Sequence, residues 1–197
     1  MPFHPSKQFF GLLGAILAIA AHIPYIISIA RGKTKPHVFS WTIWALVGII
    51  AAAAQYADGA GPGMWVSATS GVTSVGIAIF ALFRRADVEI NRTDWVAFAL
   101  ALAAIPLWRI THQPLAAALM ATFANLMAFA VTMRKIWARP QTENVLSYHL
   151  HASKFAAGLM GMEAYTAATV IYPVIFLLAN FLTGMLIVWR KKRLRNK

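Results

Sequence analysis

Apolar residues fill seven long stretches of this chain, 9–29, 38–57, 63–83, 95–110, 114–133, 145–165 and 168–189, each ended by a polar or Gly/Pro-bearing turn. A helix needs roughly 17 to 25 apolar residues to cross about 30 Å of hydrocarbon, and all seven stretches lie near that length. Turns such as Arg31-Gly32-Lys33-Thr34-Lys35-Pro36 and Arg84-Arg85-Ala86-Asp87 carry the charges and the helix breakers. In lipid each backbone donor and acceptor must be satisfied inside its own segment, so the spans are expected to be helical. The pattern predicts an all-α integral membrane protein: one domain over 1–197, seven transmembrane helices and no appended soluble unit. Composition agrees, since 59% apolar, 12% charged and a mean hydropathy of +0.62 lie far from the globular norm of about 45–50% apolar and 25% charged.

The net charge of +12 changes meaning once the spans are drawn. On a soluble chain it would point to nucleic acid. Here fifteen of the eighteen Lys and Arg residues fall on one side: Arg31, Lys33, Lys35, Arg84, Arg85, Arg92, Arg134, Lys135, Arg139 and the tail from Arg190 to Lys197. Positive charge collects on the cytoplasmic side, so the amino terminus is expected outside and the carboxyl terminus in the cytoplasm. The basic tail, 190–197, then anchors the topology against anionic lipid, and no nucleic-acid partner is called for. Lys7 and Ala18-Ile19-Ala20 have the look of a secretory leader. However, the apolar run continues through Pro24 to Ile29, past the roughly 7–15 residues of a leader core, and we read it as the first span. The chain has no cysteine, which removes disulfides and thiolate chemistry.

The segments group as three, one and three. A triplet of crossings reverses direction, so a second triplet in the same orientation requires one extra crossing, and 95–110 supplies it. The first repeat is then 9–83 and the second 114–189. Short identities support the register: Ala30-Arg31 and Thr34 recur as Ala138-Arg139 and Thr142, and Val38 and Ser40 recur as Val145 and Ser147, at separations of 108 and 107 residues.

Ile23-Pro24-Tyr25-Ile26-Ile27, followed by Lys33-Thr34 and Ser40-Trp41, resembles the first motif of the PQ-loop and SWEET-like (MtN3/saliva-type) transporter family. Tyr25 stands where that family has Gln. The second copy, Val131-Thr132, Arg134-Lys135 and Ser147, lacks the proline, and Pro140-Gln141 falls in the wrong place to be it. The resemblance implies two parallel three-helix bundles joined by a linker helix and related by an axis along the membrane normal. It also implies alternating-access transport of a small neutral solute, above all a sugar, across a bacterial inner membrane. Pro24, Tyr25 and Thr132 would be hinge or motif positions. Asn180 matches a sugar-contacting asparagine of the seventh helix, whereas its third-helix counterpart here is Thr73. Apart from any resemblance, a proline inside a helix removes one hydrogen bond and crowds the preceding turn.

Polar residues inside the spans lead to a similar place. Thr73, Asn125 and Asn180 lie near the middle of the third, fifth and seventh segments, where an unpaired amide or hydroxyl is costly and must face protein or a wet cavity. Ser67, Ser70 and Ser74 share a helical face, as do Asn125 and Thr132. Packing between helices is the competing role for each of them. Gln55 and Trp65 are further substrate-binding candidates, with a headgroup or belt position as the alternative. Glu163, the one acidic residue placed within a span, is a candidate proton site or an interfacial carboxylate. Lys154 is expected to snorkel toward the cytoplasm, with neutralisation of a neighbour as the alternative. The tryptophans lie mostly near segment ends, as an interfacial belt requires.

Nothing favours an enzyme, a cofactor or a metal. His149 and His151 are two residues apart and point about 200° from one another on a helix. No His-Glu-x-x-His, Gly-x-Ser-x-Gly or phosphate-cradling loop occurs. The expected partners are the bilayer and a small-molecule substrate. An amino-acid or other metabolite transporter, with proton coupling, and a scaffold or sensor that never opens remain alternatives. Since both halves lie in one chain, a functional monomer and a homo-oligomer both stay open.

Overall fold

The computed structural model describes residues 6–32, 38–83, 90, 92–138 and 140–195. Among these, the regular elements are helical: α1 (Lys7–Ala30), α2 (Val38–Ala57), a 3-10 turn (Gly61–Met64), α3 (Trp65–Phe83), α4 (Arg92–Thr111), α5 (Pro114–Ala138), a 3-10 turn (Pro140–Thr142), α6 (Val145–Met160) and α7 (Ala167–Arg195). Five of the helical stretches are long and apolar enough to cross a membrane: Lys7–Ala30, Val38–Ala57, Gly61–Phe83, Asp94–Thr111 and Ala167–Arg195. Within α5 the apolar part is Pro114–Ala130, and α6 has 16 residues. This is a multi-pass helical membrane protein.

Its outer surface shows why. Leu12, Ile16, Ile19, Ile23 and Ile27 of α1 are all more than 40% exposed and recur every three or four residues, forming an apolar stripe on the outside of the bundle. Val72, Ile79 and Leu82 of α3 and Leu178, Leu182, Met185 and Val188 of α7 do the same. A soluble protein rarely exposes apolar stripes of this length; lipid covers them here.

Inside, small residues let the helices approach. Ala97, Ala101 and Ala104 of α4 are buried in one cluster with Ala117, Ala118, Ala121 and Ala124 of α5. Gly48 and Gly71 bring α2 and α3 so close that a Cβ on Gly48 would stand 2.8 Å from the Gly71 Cα. α3 packs against both α1 and α2, and α7 against both α5 and α6; across the middle, α1 packs on α6 and α2 on α5, while α4 covers α5 and α2.

Two departures from the expected spans are informative. The third span starts with a 3-10 turn whose Pro62 and Gly63 are buried. The sixth helix stops at Met160 rather than continuing to residue 165. Gly161 caps it, and the following residues pair instead with the α2–α3 turn: Glu163 N donates to Ala60 O at 3.0 Å and Ala164 N to Gly59 O at 3.2 Å. Gly59 (φ +78°) and Gly61 (φ +58°) adopt the left-handed backbone this turn requires.

Candidate functional site

The bundle has two distinct ends. At the Lys7 end the helices are sealed by backbone contact. A Cβ on Gly11 would meet Pro62 O at 2.5 Å, one on Gly161 would meet Gly11 N at 2.8 Å, and one on Gly63 would meet Gly158 O at 2.7 Å. The paired turns close over this packing, with Thr166 Oγ1 donating to the Asp58 carboxylate and Lys7 Nζ to the Tyr165 hydroxyl at 3.2 Å.

From the opposite end, which carries Arg31 and the basic end of α7, a cavity of about 400 Å³ runs into the middle of the bundle. Its mouth is lined by Tyr25, Trp41, Glu143 and Asn144, and its depth by Ser70, Ser74, Asn125, Lys154, Tyr172, Phe176 and Asn180. Gly14 and Val66 close it off just beyond Lys154: a Cβ on Gly14 would lie 2.4 Å from Val66 Cγ2 and 3.1 Å from Lys154 O.

Each polar group is held from its own helix. Ser70 Oγ donates to Val66 O at 2.7 Å and accepts from Lys154 Nζ at 2.9 Å, linking α3 to α6. Asn125 Nδ2 donates to the Tyr172 hydroxyl at 3.0 Å, linking α5 to α7. Asn180 Nδ2 donates back to Phe176 O at 2.7 Å, which leaves its Oδ1 and one N–H for other partners. His22 Nδ1 lies 2.7 Å from Ala18 O; because a carbonyl only accepts, Nδ1 carries the hydrogen. The His22 ring meets those of Trp41 and His151 edge-on, at 5.6 and 5.2 Å between centroids. Trp41 Nε1 donates to the Tyr25 hydroxyl at 3.1 Å, joining α1 to α2 at the mouth.

Of the residues singled out from sequence, Asn125, Asn180, Pro24 and Tyr25 meet at this cavity. Thr73 is not among its lining residues; its hydroxyl donates to Thr69 O. Gln55 is fully buried near the start of α7, where its Nε2 donates to Thr169 O at 3.3 Å and its Oε1 has no partner. Trp65 is 37% exposed and lies outside the cavity. Glu163 is exposed in the α6–α7 turn, its carboxylate lying over Gly61. The side chain of Thr132 lies outside the described residues.

Two expectations are corrected. Lys154 does not snorkel: it is 4% exposed and bonded to Ser70, because its helix turns it toward α3 and the cavity. Trp41 and Trp44 do not form a belt. Trp41 is buried, meets Trp44 edge-on at 4.8 Å, and both line the cavity.

Sequence reasoning missed His22, Tyr172 and Phe176, three residues from two helices. His22 gives a usable signal, a polar ring two residues before the α1 proline. The two aromatics of α7 give none, since Tyr and Phe are ordinary in any span. Among the described residues no group of three or more His, Cys, Asp or Glu side chains is placed to hold a metal ion. Comparison with family models, curated proteins and solved structures finds no match to this chain.

Proposed function

We propose that this chain is a membrane transporter that carries a small organic solute by alternating access through the central cavity. One observation carries the reading: a polar and aromatic cavity runs in from one end of a membrane bundle and stops at a glycine-packed seal at the other. That is the arrangement expected of one resting state of a two-gate carrier, in which the solute site sits near the midplane between helical repeats. A static scaffold gains nothing from turning Lys154, Asn125 and Asn180 toward one central cavity, since intramembrane polar groups are costly.

The pairing of helices favours two parallel triplets. α3 touches α1 and α2 as α7 touches α5 and α6, and the cross-contacts α1 with α6 and α2 with α5 exchange under the same two-fold operation. On this reading all seven helices cross, α4 is the linker, the amino terminus is outside and the cavity faces the cytoplasm of a bacterial inner membrane. The positive-inside bias supports that orientation. A PQ-loop or SWEET-like origin accords with the helix pairing and with Pro24 and Tyr25 lining the cavity.

Counterflow in proteoliposomes tests the reading. Wild-type protein is expected to exchange at least one solute from a panel of sugars, amino acids and small organic acids faster than empty liposomes, and Asn180→Ala is expected to reduce that exchange. Flux no greater than in empty liposomes for every solute overturns the transport reading.

A further inference from the structure

Lys154 places a buried amine in the cavity, and among the described residues no carboxylate lines the cavity beside it. Lys154 lies at the inner end of the cavity with 4% of its surface exposed. Ser70 Oγ accepts one of its three N–H groups, and the Phe155 ring lies 4.9 Å from Nζ. Among the described residues lining the cavity the one acidic side chain is Glu143, which precedes α6, and α6 rises about 14 Å from Val145 to Lys154. The Glu143 carboxylate already accepts from the Tyr148 hydroxyl at 3.0 Å. An ammonium removed from water without a counter-charge is expensive, and the cost is met either by loss of the proton or by a partner of opposite sign. Among the described residues none supplies it at this depth, while the space beside Lys154 is large enough for a small molecule to do so.

The surroundings suit one kind of partner. Trp44, Phe129, Phe155 and Phe176 present apolar walls, and the Tyr172 hydroxyl, which accepts from Asn125, keeps its own hydrogen to donate. Aromatic walls with a few convergent polar groups hold the body of a small ligand and set its orientation. At the mouth Lys191 Nζ donates to the carbonyl of the lining residue Glu143 at 2.9 Å, which places one cation of the basic end of α7 beside the entrance.

The geometry points to an organic monocarboxylate as the solute, its carboxylate paired with Lys154 and Ser70 and its apolar or aromatic body held among the cavity aromatics. This rests on the transport reading and replaces the neutral solute implied by family resemblance with an anionic one.

Benzoate and benzamide separate the charge from the shape. Calorimetric titration of the purified full-length protein is expected to give benzoate an affinity roughly tenfold or more above that of benzamide. Lys154→Gln is expected to lose that preference by weakening benzoate and not benzamide, and Lys154→Arg to retain it. Absence of benzoate binding, equal affinity for the two compounds, or unchanged benzoate affinity in Lys154→Gln overturns the assignment. Should Lys154→Gln fail to fold, the wild-type ratio and the Arg variant still decide. These binding results do not depend on flux: proteoliposomes without flux defeat the transport reading alone, and flux of neutral solutes without a benzoate preference defeats the anion site alone.

Discussion

The backbone amide of Glu163 donates to the carbonyl of Ala60 across 3.0 Å, tying the α6–α7 turn to the α2–α3 turn. These turns occupy equivalent places in the two proposed triplets, so this contact is where one gate of a two-gate carrier would shut. Beneath it Gly63 leaves no room: a Cβ there would sit 2.4 Å from Met162 Cγ and 2.7 Å from Gly158 O. Gly63→Ala is expected to weaken this closed arrangement by about 1–3 kcal/mol. The chain has no cysteine, so Ser74→Cys in the cavity provides a single label site. Labelling by an impermeant maleimide from the Lys7 side should rise in the Gly63→Ala background; unchanged labelling would count against the gate.

Gly76 supplies the contrast. Nothing lies within 4 Å of a Cβ added there, on an exposed part of α3. Gly76→Ala should raise stability by about 0.5–1 kcal/mol through reduced backbone entropy and leave the labelling pattern as in wild type. Denaturation monitored by helical circular dichroism checks the first part.

Asn125 and Tyr172 join α5 to α7 by one hydrogen bond inside the cavity. Tyr172→Phe removes the acceptor and leaves the amide facing an apolar wall, at an expected cost of about 0.6–2 kcal/mol. Solute affinity should fall as well, because both groups line the cavity. A variant equal to wild type in thermal stability and in solute binding would place this pair outside the working site.

Pro24 lies within α1 and lines the cavity, so the carbonyl one turn before it has no amide to accept from at that position. Pro24→Ala restores the donor and stiffens the helix. The expected outcome is a several-fold slower counterflow with solute binding little changed, read by comparing exchange rates with calorimetric affinity. A loss of binding without a change in rate would make Pro24 a lining residue and nothing more.

Gln55 and Glu163 both stand away from the cavity and are expected to be dispensable for solute binding. Gln55 Oε1 is buried without a partner, so Gln55→Met removes an unpaired acceptor at the expense of one long hydrogen bond to Thr169 O. Its stability should stay within about 1 kcal/mol of wild type. Glu163→Gln should leave uptake driven by a pH gradient unchanged, since its carboxylate is exposed. Reduced uptake in that variant would restore a proton role for the residue.

The sequence by itself determined the helical membrane architecture, because lipid imposes a one-dimensional rule: each span must be apolar over its length and bond its own backbone. α2 matches its predicted stretch to the residue, Val38–Ala57, and α1 nearly so, whereas α5 runs on to Ala138 and α7 to Arg195, past the predicted ends at 133 and 189. The midplane amides Asn125 and Asn180 were legible for the same reason, since a polar group in an apolar run is conspicuous wherever it points. What a lone span cannot show is azimuth. Whether Lys154 reaches for water or turns toward Ser70 depends on the rotation of α6 against α3, and that is set by glycine contacts among Gly14, Val66 and Gly158 contributed by three separate helices. The early end of α6 at Met160 is likewise a tertiary outcome: its next residues bond to a turn a hundred residues earlier in the chain instead of extending their own helix. Trp41, expected at the lipid interface, was drawn inside by the hydroxyl of Tyr25 and the ring of His22. Span and composition are local properties, whereas the cavity exists only once separate helices meet.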